Sequence, residues 1–109
     1  MGDQEEGGQK TELQATLERL GGERRFQVLN VGEFSAFDVR LAVASERGKN
    51  PPVSVHDLQE FFPLAELEPA ESTSVAAIIT PGTGLHFRAV VTWRNPDGSD
   101  AEGVFYISA

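Results

Sequence analysis

The sequence predicts an all-β, antiparallel sandwich of about seven short strands, on three observations. Apolar and polar residues alternate in short runs, as in Phe37, Val39, Leu41 and Val43 or Phe87, Ala89, Val91 and Trp93. Turn residues recur about every ten positions, as strands of ordinary length require. No run is long enough for the helix that a parallel crossover needs, so neighbouring strands pair antiparallel.

Residues 1–10, MGDQEEGGQK, are polar, acidic and glycine-rich. Ordering them costs backbone entropy with no apolar burial in return, so a disordered acidic tail or linker is expected there, followed by one domain over 11–109. Leu13, Ala15 and Leu17 then alternate with Gln14, Thr16 and Glu18. The same residue types also suit a helix, but Gly21-Gly22 supplies a hairpin turn into Arg24–Val31, and that pairing favours a strand. In the returning strand Phe26 and Val28 share one face. Asn30-Val31-Gly32 breaks the pattern, with Gly32 free to take positive φ and Asn30 able to bond its own backbone; a hairpin and a sheet-to-sheet crossing both satisfy this. Phe37 through Val43 resume the two-residue period as a central strand.

Charged residues and Pro51-Pro52 interrupt the chain after Val43, which requires a loop or a sheet edge. Val53 and Val55 read as a short edge strand. Ser54 with Asp57 suits the cap of one helical turn, and Pro63 stops it, so an irregular crossover containing that turn is expected. Glu68-Pro69-Ala70-Glu71-Ser72 is a turn. Ser74–Thr80 is a strand of open phase, because Val75, Ala77 and Ile79 are apolar and so are Ala76 and Ile78. Pro81-Gly82-Thr83-Gly84 breaks the chain before a second central strand through Trp93. Asn95-Pro96-Asp97-Gly98 turns it into a last strand over Gly103–Ser108, with either Val104 and Tyr106 or Phe105 and Ile107 inward.

The chain has 109 residues with 9 basic and 17 acidic side chains, a formal charge of −8, and no cysteine. One domain of this size can bury enough surface to fold without disulfides or a structural metal. Lacking cysteine, it carries no thiol redox chemistry and no zinc ribbon. The acidic balance disfavours binding a phosphate backbone, so no nucleic-acid partner is expected. No apolar run approaches the roughly 20 residues that cross a bilayer, and the N-terminus lacks the apolar core of a signal peptide, so the chain as given reads as soluble. Exposed edge strands allow a weak homodimer, whereas the charge favours a monomer.

Several of these residues form a larger pattern. Val28 through Leu41, the turn Leu67, Pro69, Glu71 and Ser72, and the closing hairpin Val91-Thr92-Trp93-Arg94-Asn95-Pro96-Asp97-Gly98 resemble bacterial immunoglobulin-like sandwiches of the cell-adhesion-related type. The resemblance spans Leu13 to Ser108, with Ala70 standing where that turn usually has glycine. It implies an immunoglobulin-like fold, a membrane tether outside this chain and association with the cell envelope. It implies no catalytic residue, since one sandwich hosts many roles.

No catalytic or cofactor motif stands out, so neither an enzyme nor a cofactor is expected. His56 and His86, the two histidines, would need to meet with Asp57 or Glu60 to bind zinc; they read as solvated side chains. Asp97-Gly98-Ser99-Asp100 lacks the spacing and terminal glutamate of a calcium loop. Glu66, Glu68 and Glu71 lie in a polar turn, where they read as a solvated edge rather than a glycosidase pair. The candidate binding residues are Phe34, Phe61 and Phe62, apolar side chains in loops. One member of the adjacent pair is expected to be exposed, and the crossover that carries them either plugs the open end of the sandwich or forms a partner-binding patch. The expected function is a non-enzymatic module for protein–protein contact or spacing, its protein partner unspecified. The alternative is a carbohydrate or small-ligand module, which would want an exposed aromatic platform, whereas Trp93 reads as inward-facing.

Overall fold

The computed structural model describes residues 9–109; of the expected acidic tail, residues 1–8 lie outside the described residues. Among the described residues, seven strands form two antiparallel sheets. One sheet holds β1 (Leu13–Leu20), β2 (Glu23–Asn30) and β5 (Ser72–Ala76) in the order β1-β2-β5. The other holds β3 (Ala36–Ser45), β4 (Leu64–Leu67), β6 (His86–Arg94) and β7 (Asp100–Ser108) in the order β4-β3-β6-β7. A helix, α1 (Val55–Phe61), precedes β4. The arrangement is an all-β sandwich compatible with immunoglobulin-like topology, with its fourth strand on the edge of β3 rather than on the β5 sheet.

Gly21 and Gly22 both take positive φ, +61° and +86°, as a two-residue hairpin loop between paired Leu20 and Glu23 demands. The inward residues alternate as the period requires: Leu13 and Ala15, Phe26 and Val28, and Phe87, Ala89, Val91 and Trp93 are all buried. Phe26 of one sheet meets Phe87 of the other edge to face, with ring centres 5.5 Å apart.

At one end of the sandwich a buried polar belt ties the sheets together. Asn30, on the last position of β2, accepts from Thr11 Oγ1 at 2.8 Å and from the Gly32 amide at 2.9 Å. Its side-chain amide donates to the carbonyls of Phe34 and Leu67. Asn95 accepts from the Thr11 amide and from Trp93 Nε1. Among the described residues no buried side-chain nitrogen or oxygen lacks a hydrogen-bond partner, which is what their desolvation requires.

Several local expectations change. The segment after Asn30 crosses between sheets and Gly32 stays out of the left-handed region; glycine is required because a Cβ there would collide with Thr11 Oγ1 and lie 2.7 Å from the Glu12 amide nitrogen. Phe37 lies outside the core. The β3–β6 register shifts between Phe37 and Arg40, Asp38 takes φ +51°, and this bulge buries Ala36 in place of Phe37. Val53 and Val55 form no strand: Val53 is a buried loop residue and Val55 opens α1, whose Ser54 cap accepts from the Asp57 amide. Regular pairing reappears in the crossover as β4. The fifth strand runs from Ser72 to Ala76 with Val75 inward, and Ala77 and Ile79 pack on the core beyond its end. The last strand starts earlier, at Asp100, with Ala101, Phe105 and Ile107 toward the core and Val104 and Tyr106 outward.

Candidate interaction surface

The three loop phenylalanines part company. Phe62 is buried, 8% exposed, where the chain leaves α1; Phe61, the last residue of that helix, is 42% exposed; Phe34 is half-buried in the crossing from β2 to β3. The structure therefore brings Phe61 and Phe62 to one place and Phe34 to another. Phe34 lines a separate hollow with Lys10, Thr11 and Val31.

The place of Phe61 and Phe62 is shaped by an early end to β4. It pairs with β3 at Ala36–Leu67, Phe37–Glu66 and Val39–Leu64. Continued by one residue, that register would set Pro63 opposite Arg40. Proline has no N–H to donate, so the ladder stops. On the other side of Pro63 lies the preceding helix α1, none of whose residues is buried. Leu58 and Phe62 face the core while Val55 is 63% exposed. Between α1 and β3 a groove of about 380 Å³ remains, lined by Arg40, Leu41, Val55, Leu58, Phe62 and Pro63 together with Gln59. A second hollow of about 260 Å³ follows along β3, between Val43–Ser45 and the loop Gly48–Pro51.

Two further surfaces lie on the β4-β3-β6-β7 sheet. On its outer face the register places Ala42, Val90 and Val104 in one row and Ala44, Arg88 and Tyr106 in the next. Tyr106 is 68% exposed and Val104 39%. The phase of the last strand was open in the sequence, so this patch was not legible there. Near the bulge, Asp38, Asp100 and Glu102 line a hollow of about 410 Å³ with Thr92, Arg94 and the apolar Trp93 and Ala101. Asp38 pairs with Arg40 at 3.3 Å.

Of the ionisable candidates, His56, Asp57 and Glu60 offer ligand atoms within 4.8 Å of one another on α1. His86 is elsewhere, with Nδ1 3.2 Å from Ser108 Oγ. His56 and Asp57 are exposed enough for water to compete for the same atoms. Asp97 accepts from the Ser99 hydroxyl and the Ser99 amide, which hold its carboxyl below the ordinary carboxylate range. Those bonds make it a turn-former at the β6–β7 hairpin. Glu66 bonds Ser35 Oγ and Glu71 bonds the Glu68 amide, so these carboxylates brace loops. Comparison with protein-family models, curated proteins and solved structures gives no match.

Proposed function

We propose that this chain is a non-enzymatic immunoglobulin-like module whose work is contact with another protein, through the region of Phe61 and the β3 edge. The bacterial, envelope-tethered setting comes with the resemblance noted above and belongs to the same proposal. The observation that carries the reading is the exposed Phe61 and Val55 beside a strand edge left open by the early end of β4. Exposed apolar side chains next to unpaired backbone are what a docking segment uses. The test places a photo-crosslinking amino acid at position 61 in one sample and at the exposed Gln14 of β1 in another. Discrete adducts from position 61 alone support the reading. Equal, diffuse labelling from both positions sinks it.

The second reading is a carbohydrate-binding module. It draws support from the hollow at Asp38, Asp100 and Glu102, whose carboxylates and Arg94 suit sugar hydroxyls. Trp93, 6% exposed, lies against it rather than presenting a stacking face. Titration of tryptophan fluorescence with soluble oligosaccharides separates the two: a saturable change abolished by Asp38→Ala selects this reading, and no change removes it.

A further inference from the structure

Resting on the contact-module reading, we propose that the free edge of β3 from Arg40 to Ser45 accepts an extended acidic and apolar segment of a partner protein as an added strand in line with β4.

Backbone chemistry is the first ground. From Arg40 to Ser45, β3 is paired on one side, to β6 from Thr92 to Phe87. In an antiparallel ladder alternate residues point both backbone groups away from their partner, so about three residues here direct N–H and C=O to the open side. No described residue pairs with that side in strand register, since β4 ends opposite Val39. The neighbouring loop meets this edge through one side chain, the Ser45 hydroxyl, which donates to the Asn50 carbonyl at 2.8 Å; its other bonds go elsewhere, the Lys49 and Asn50 amides donating to the Gly82 carbonyl and the Pro52 carbonyl accepting from Ile78. An added strand would satisfy these groups.

Space and charge are the second and third grounds. The two hollows described above lie end to end along this edge, so a strand at the usual spacing of about 4.8 Å from β3 would run through both. Alternate side chains would meet Leu41, Val55 and Phe62. The chain carries 17 acidic residues against 9 basic ones, yet the charged side chains lining these hollows are Arg40 and Lys49. Carboxylates on the incoming segment would find Lys49 and, shared with Asp38, Arg40, while a basic segment would find no carboxylate in the lining itself.

The experiment uses the full chain and three synthetic ten-residue peptides of alternating pattern: valine with glutamate, valine with lysine, and serine with glutamate. Binding is followed by fluorescence anisotropy and located by amide hydrogen exchange. The valine–glutamate peptide is expected to bind better than the other two and to protect amides in Arg40–Ser45. Val55→Glu, at an exposed position, should weaken it by about tenfold or more by placing a like charge in the groove. Arg40→Glu should do the same, with melting unchanged in both variants. Failure of the valine–glutamate peptide to bind, or protection confined to Asp100–Ser108, overturns the proposal. So does protection of Arg40–Ser45 by self-association without peptide, which would make a second copy the occupant. Crosslinking from position 61 that persists while the peptides fail would remove the strand-addition proposal and leave the contact module standing.

Discussion

Asn30 is the residue on which one end of the molecule depends. It is 1% exposed and its side chain is shared by Thr11, Gly32, Phe34 and Leu67. Asn30→Leu would fill similar space and leave those partners unpaired, so we expect a loss of about 3 kcal/mol or more, read from the urea midpoint. A loss under about 1 kcal/mol would mean that water replaces the side chain. Ala70 presents the opposite case. It takes φ +68° after Pro69, in a turn closed by the Glu71 amide on the Glu68 carbonyl at 3.0 Å, where φ above zero favours glycine. Left-handed backbone costs an alanine about 1–2 kcal/mol, and glycine returns about 0.4–1 of that through the unfolded chain. Ala70→Gly should therefore raise stability by about 0.5–1 kcal/mol, visible as a higher melting temperature; a lower one would refute the strain. For Asp97, the Ser99 hydroxyl and amide lower the folded value below the ordinary 3.8. Its contribution is present above that ordinary value and is lost as pH falls through the folded one. The stability difference between the parent and Asp97→Asn should be present at pH 5 and close toward pH 2. A difference constant across that range would show that the bonds act without the charge.

At the scale of elements, α1 and β4 together decide what the crossover exposes. Ser54 starts the helix and Pro63 stops the strand ladder, so Phe61 and Phe62, adjacent in sequence, fall on opposite sides of the protein surface. Phe62→Ser should cost about 3 kcal/mol or more, because it empties a core position. Phe61→Ser should leave the melting temperature nearly unchanged. Equal losses from the two would mean that α1 packs tighter than its exposure indicates. The split itself was legible, since neighbours in such a segment rarely share a face; which of the two turned inward was not, because that depends on where α1 ends. The bulge at Asp38 shows the same limit. Phe37 kept the two-residue period in sequence, and only the register against β6 shows Ala36 taking its place.

At the scale of the whole molecule, charge opposes the association that open strand edges invite. Val104 and Tyr106 stand outward on the edge strand β7, whose stretch from Gly103 to Ser108 carries no charged residue. A net charge of −8 keeps copies apart near neutral pH. We expect a monomer in sedimentation at pH 7 and association as pH approaches the isoelectric point near 4.6. Val104→Lys should reduce that association without changing melting. Association at pH 5 that ignores the substitution would place the contact elsewhere.

The alternation of Phe26 with Val28, and of Phe87, Ala89, Val91 and Trp93, by itself determined a sandwich of antiparallel strands. Each strand can bury only one face, and a two-residue period leaves one way to do so. The glycine pair, Asn30 and the Asn95–Gly98 turn were legible for the same reason, as local backbone chemistry. Tertiary structure alone decided the phase of Val75 and of Phe105, since both faces of those strands were apolar enough to turn inward. It also decided the open edge of β3. That edge arises because Pro63 falls opposite Arg40, a coincidence of register between residues distant in sequence, which no local pattern encodes.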